Sequence, residues 1–123
     1  MFSPEVLSYQ KKNRSLKPTG TSEPKASYRS TIIYERSPQV KAWVLNRAGG
    51  ICEFCQQQAP FMTLSGSPYL EVHHVRRLSL GGSDTASNCV ALCPNCHRSF
   101  HYSIEHELLV DKLYQLNTEL IRE

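Results

Sequence analysis

Two Cys-x-x-Cys pairs, 37 residues apart, constrain this chain more than any other feature in it. The first is Cys52 and Cys55, in ICEFC, and the second is Cys93 and Cys96, in LCPNCHRSFH. A C-x-x-C turn lets two thiolates face one ion, and two such turns complete a tetrahedral sulfur site. The interval exceeds that of a simple zinc finger, so an independent structural unit must fill it. No thioredoxin-like βαβ pattern accompanies either pair, which argues against a redox role. A structural zinc ion held by Cys52, Cys55, Cys93 and Cys96 is therefore expected, supporting a core too small to be self-sufficient. The fifth cysteine, Cys89, alternates with the ligands along NCVALC and is expected to pack inside as a small hydrophobe.

At 123 residues the chain has room for one small core. No apolar run approaches the roughly 20 residues that span a bilayer, so no membrane role is expected. The segment MFSPEVLSYQKKNRS lacks the apolar stretch of a secretory signal. A cytoplasmic address follows as the expectation, and in that reducing setting cysteines serve as metal ligands rather than disulfides. Charge is unevenly spread. Residues 1–36 carry seven Lys/Arg against three acids, whereas residues 105–123 carry two against five. Such a gradient would orient the molecule on a polyanion, and an ordinary solvated surface fits it equally well.

Residues 1–36 are rich in Lys, Ser, Thr and Pro, with Pro18, Gly20 and Pro24 interrupting any periodicity. They read as a basic, flexible arm in which TIIY (31–34) adds a short extended segment. Residues 37–123 read as the folded domain. Ser37 is an N-cap with Pro38 at the first helical position, and Gly49 and Gly50 end that helix at the first cysteine pair. YLEVHHV (69–75) reads as a strand, 78–87 as a loop containing Gly81 and Gly82, and NCVALC (88–93) as a second strand. A helix starts from about Asn95. The tail, 104–123, is read as one amphipathic helix with Leu109, Leu113, Leu116 and Leu120 on one face. Its 4-3-4 spacing leaves a homodimer seam open, but two heptads favour packing against its own core.

The histidines add a second chemistry. On a helix, His97 and His101 stand at i and i+4, so both imidazoles can reach one cation. A third ligand from the doublet His73-His74 would close a site that still leaves positions for water and phosphate. His106 lacks such company and reads as a surface residue.

The run YLEVHHVRRLSLGGSDTASNCVALCPNCHRSFH (69–101), with the preceding ICEFC, closely resembles the HNH endonuclease motif. The likeness extends over roughly residues 38–105 and is similar to nuclease domains of modified-cytosine restriction enzymes. It implies an α+β, ββα-metal (His-Me finger) fold: two antiparallel strands, a loop and a helix around one divalent cation, with a zinc knuckle and flanking helices. It further implies that His74 is the general base and that His73, His97 and His101 are metal ligands. Asn88 matches the family's central asparagine, which either fixes the loop and base or touches the metal. Arg77 stands where a proline is frequent and Cys89 where an aliphatic residue is usual. Adjacent strand residues point to opposite faces, so a shared site for His73 and His74 needs a strand end or bulge.

That likeness implies hydrolysis of DNA phosphodiester bonds, by nicking or double-strand cleavage, in restriction or phage defence. Neutral His74 would take a proton from water, since an unperturbed imidazole titrates near 6.5. The cation would bind the scissile phosphate; imidazole ligands suit Ni2+, Zn2+ or Mn2+ better than Mg2+. Arg76, Arg77 and Arg98 lie beside these groups and are candidate phosphate clamps. Nothing resembles a reader of modified bases, so low intrinsic specificity or a specificity partner is expected. The alternative is a non-catalytic zinc-ribbon module that binds nucleic acid.

Overall fold

The computed structural model describes residues 3–12 and 16–123. The chain separates into two compact units at the boundary between Ile33 and Tyr34. In the first, Pro4–Lys11 forms helix α1, where composition predicts no regular element. Its entry is local: Ser3 Oγ accepts the Val6 N–H at 3.2 Å, and Pro4 opens the helix. No α1 residue is buried. Residues 31–34 form no strand, and Ile32 and Ile33 are exposed.

The second unit carries the site. Helix α2 (Pro38–Ala48) begins and ends where the sequence predicts, with the Ser37 hydroxyl accepting the Val40 N–H and Gly49 in the left-handed region at φ 59°. Strands β1 (Glu71–His74) and β2 (Cys89–Leu92) pair antiparallel, with Glu71 opposite Leu92 and His74 opposite Cys89. All four residues of β2 are buried. Helix α3 (Pro94–Tyr102) follows directly, and its N-cap is a ligand candidate: Cys93 Sγ accepts the Cys96 N–H at 3.4 Å. Strand, loop, strand and helix thus form the ββα unit that the motif implies. Leu70, Val90, Leu92, Phe100 and Leu113 lie in its core with Val44 of α2.

The tail departs from expectation. Helix α4 spans His106–Leu116, not 104–123. Beyond it the chain turns back: Leu120 is buried, and the Ile121 N–H donates to Ser87 O at 2.9 Å. The Ser83 N–H also donates to the Glu123 carboxylate at 2.8 Å. These loop contacts outcompete two more helical turns. Leu113 and Leu120 are spent on the unit's own core, while Leu108 and Leu116 are exposed. No helix among the described residues is long and apolar enough to cross a membrane.

Between β1 and β2 the loop is held by short contacts. A Cβ on Gly82 would sit 1.9 Å from Arg76 O, so only glycine lets the two backbones approach. Two 3₁₀ turns, Leu78–Leu80 and Ala86–Asn88, complete the crossing.

Candidate nuclease centre

The four predicted cysteines come together. One Sγ from each of Cys52, Cys55, Cys93 and Cys96 lies within 4.8 Å of the others, and all four are free thiols. Cys52 is fully buried. Burial would raise its thiol pKa, but backbone N–H groups of Cys93, Cys55 and Phe54 outweigh that and leave it lowered. The four are positioned to hold a zinc ion, for which soft sulfur donors are suited. An unforeseen ion pair anchors this knuckle. Arg47 of α2 donates through Nε and Nη2 to both Glu53 oxygens, at 2.8 and 2.9 Å. Glu53 in turn accepts the Ala91 N–H at 2.9 Å, and Arg47 Nη2 also reaches Cys89 O at 2.8 Å. Bidentate geometry and low exposure make this a brace between α2, the knuckle and β2.

His73, His97 and His101 also converge, each offering a ring nitrogen within 4.8 Å of the others. The Nε2 atoms of His97 and His101 are 3.2 Å apart, as expected for i, i+4 positions on α3. His73, from β1, is buried beneath them, and its Nε2 is left without a hydrogen-bond partner among the described residues. Burial, then the neighbouring charges of His97 and His101, lower the His73 pKa to about 3. His101 is likewise lowered, by burial first and then by His97. A buried imidazole kept neutral, with an orphaned nitrogen aimed at two others, is the donor set a divalent cation would use. These three converging ring nitrogens therefore fit a metal.

Behind this trio stands a carboxylate. His97 Nδ1 lies 2.9 Å from Glu71 Oε1, and Tyr69 donates its hydroxyl to Glu71 Oε2 at 2.7 Å. The Tyr69 hydroxyl, more than His97, holds the Glu71 pKa down against partial burial. A carboxylate on Nδ1 fixes the tautomer that leaves Nε2 free for a metal. Sequence reading missed Glu71, although its place two residues before His73 on one strand puts it on the same face.

His74 does not join the trio. Consistent with strand alternation, its ring groups with Asp84 and Cys89. Its Nε2 lies 2.8 Å from Asp84 Oδ1. Both environments nevertheless open onto one cavity of about 580 Å³, whose lining includes Arg36, Lys41, Tyr69, Glu71, His74 and His97. The position of His74 at the end of β1 allows this. No bulge is needed.

Asn88 is fully buried and touches neither histidine group by hydrogen bond. Its Oδ1 accepts the Arg76 N–H at 2.9 Å, and its Nδ2 donates to Arg76 O and Ser83 O at 3.0 and 2.7 Å. It clamps the two ends of the β1–β2 loop. The three predicted arginines make different contacts. Arg76 spends Nε and Nη2 on Leu80 O, at 3.0 and 2.8 Å. Arg77 reaches His101 O at 3.5 Å, and Arg98 lies 6.0 Å from the Tyr102 ring centroid. The cations that line the cavity are Arg36 and Lys41.

Residues 52–103 match the family model described as HNH endonuclease. This segment carries an HNH endonuclease motif. The chain is 54% identical over 97 residues to the type IV methyl-directed restriction enzyme EcoKMcrA of Escherichia coli strain K12. That alignment covers 79% of this chain and 35% of the relative. Among solved structures, the type IV phosphorothioation-dependent restriction endonuclease ScoMcrA aligns with a TM-score of 0.59 and 36% identity. There the match covers 66% of this chain and 18% of the other. The chain thus spans about a third of the length of the curated relative it matches. The matched segment contains the cysteine knuckle, the histidine trio, His74 and Asn88 in one continuous stretch.

Proposed function

We propose that this chain is a metal-dependent endonuclease that hydrolyses DNA phosphodiester bonds, acting in the cytoplasm in restriction of foreign DNA. The observation that carries the reading is the pairing of two imidazole environments on one cavity. One is a three-histidine cluster whose buried His73 Nε2 has no hydrogen-bond partner among the described residues. The other is His74, whose Nε2 is engaged by Asp84 and whose Nδ1 makes no hydrogen bond among the described residues.

His73, His97 and His101 would hold the cation, with Glu71 fixing His97. Bound there, a divalent ion would supply Lewis acidity toward the scissile phosphate and the departing oxygen. His74 Nδ1 takes a proton from the attacking water, because its other nitrogen is already committed. Asn88 acts through the backbone: it fixes the loop that carries Arg76 and Ser83, and hence the end of β1. Arg36 and Lys41 bind strand phosphates on the cavity wall, contacts that position a duplex without reading sequence. Arg77 and Arg98 extend that basic rim. Zinc in the four-cysteine knuckle supports the fold without taking part in chemistry. Recognition of a modified target is assigned to a partner or a separate module. Homodimerisation has little support, since Leu113 and Leu120 are buried within the unit itself.

The test is conversion of supercoiled plasmid by purified protein in Mg2+, Mn2+, Ni2+ or EDTA, with modified and unmodified plasmid. Metal-stimulated nicked or linear product is expected. Binding without strand cleavage in every metal would instead favour a non-catalytic zinc-ribbon module.

A further inference from the structure

We propose that Asp84 is a positioning residue for His74, holding its ring in the tautomer that leaves Nδ1 free to accept a proton. The inference deepens the nuclease reading and rests on it. Asp84 sits in the β1–β2 loop, ten residues after His74, and divides its carboxylate between two partners. Oδ1 meets His74 Nε2 at 2.8 Å, while Oδ2 accepts the Ser37 backbone N–H at 2.6 Å. Ser37 is the N-cap of α2, so the carboxylate is fixed to the start of a helix rather than to a mobile side chain. Through α2, Arg47 and Glu53, that helix is braced to the cysteine knuckle. The zinc-supported half of the unit thereby sets the orientation of His74.

The chemistry follows from what each atom can accept. A carboxylate is acceptor-only, so a nitrogen facing it must carry a hydrogen. Nε2 of neutral His74 is then the donor and Nδ1 the free lone pair. The Asp84 carboxyl is held below its ordinary range: burial would raise it, but His74 and the Ser37 N–H outweigh that. Cys89, the third member of this group, is pushed up to about 12, by burial first and then by Asp84, and remains a neutral thiol.

The Ser37 contact makes the isosteric variant informative. In Asp84→Asn, the backbone N–H of Ser37 can be satisfied only by the amide oxygen, which turns the amide NH2 toward His74. The NH2 donates, so Nε2 must become the acceptor and the hydrogen moves to Nδ1, the wrong nitrogen for a base. A tautomer fault of this kind lowers turnover by about 100-fold or more while leaving binding intact. Asp84→Glu keeps an acceptor-only group and should recover part of the loss.

The experiment compares wild type, Asp84→Asn and Asp84→Glu in zinc-loaded protein by two readouts. Steady-state cleavage of a duplex in Mn2+ separates kcat from KM. Nitrogen NMR of 15N-histidine protein, with His74 assigned through His74→Ala, reports which ring nitrogen carries the hydrogen. Expected are a kcat fall of about 100-fold or more in Asp84→Asn with KM within about threefold, and a hydrogen moved from Nε2 to Nδ1. Asp84→Glu should restore the wild-type ring signature. An unchanged kcat, or a ring that keeps Nε2–H in Asp84→Asn, overturns the role. If wild type itself fails to cleave, the nuclease reading falls, while the NMR comparison still decides the function of Asp84. If Asp84→Asn loses its fold, Asp84→Glu decides: an Nε2–H ring with residual turnover supports the role, and an Nδ1–H ring overturns it.

Discussion

The cysteine cluster and the histidine cluster lie within one small unit, yet they are built on opposite logic. The cysteines offer four protein donors to one point, so nothing is left for a substrate. The histidines offer three, beside a cavity, with a buried donor that has no hydrogen-bond partner among the described residues. A closed set of ligands supports folding, and an open set supports chemistry. The Arg47–Glu53 ion pair braces the first cluster, while the second is tuned by Glu71 at His97 and flanked by Asp84 at His74.

That contrast can be broken most sharply at the knuckle. Cys93→Ser should remove a zinc ligand while keeping a side-chain acceptor at the N-cap of α3. Structural zinc contributes on the order of 10 kcal/mol in small domains, which is comparable to the whole stability of a domain this size. Loss of a cooperative thermal transition and of bound zinc is expected by circular dichroism and elemental analysis. A folded Cys93→Ser protein would make the cluster dispensable. His97→Ala should do the reverse: cleavage down by about 100-fold or more, with several kcal/mol of transition-state stabilisation gone. Its zinc content and thermal midpoint should stay near wild type. Collapse of the fold in this variant would erase the distinction between the clusters.

Asn88→Ala tests the ground between them. The change strands the Arg76 N–H and two loop carbonyls that its side chain satisfies. A loss of about 2–4 kcal/mol in urea unfolding is expected, along with slower cleavage. Unaltered stability with lost cleavage would point instead to direct contact with the reacting groups. Glu71→Gln should weaken Mn2+ binding to the trio by roughly 10- to 100-fold in calorimetry without touching the knuckle zinc. The smallest effect belongs to Lys41→Ala, expected to weaken DNA binding uniformly across sequences and to lower the salt slope by about 1.

Much of this was legible in the sequence because the informative residues act locally. C-x-x-C turns, an i, i+4 histidine pair and the Ser37-Pro38 helix start each declare themselves within a few positions. The same Ser-Pro signal at Ser3-Pro4 marks α1, but the surrounding Lys, Ser and Pro hide it, since no residue of that helix is buried to give a periodic pattern. The tail shows the opposite failure. Its leucine spacing runs to Leu120, yet Leu120 is buried from a non-helical segment because the Ile121 and Glu123 contacts to the loop end the helix at Leu116. Asp84, Arg47 and Glu53 were invisible for a related reason. Their hydrogen-bond partners lie 6 to 47 residues away and are set only by the completed fold. At Arg76 the sequence does not show that Leu80 O, four residues on, engages the guanidinium.

The division of labour is tested most directly by single-turnover cleavage with His74→Ala, measured beside its zinc content and its Mn2+ affinity. The expected result is a cleavage rate lower by about 100-fold or more, with zinc content and Mn2+ affinity equal to wild type. Cleavage at the wild-type rate with both metals still bound would contradict it.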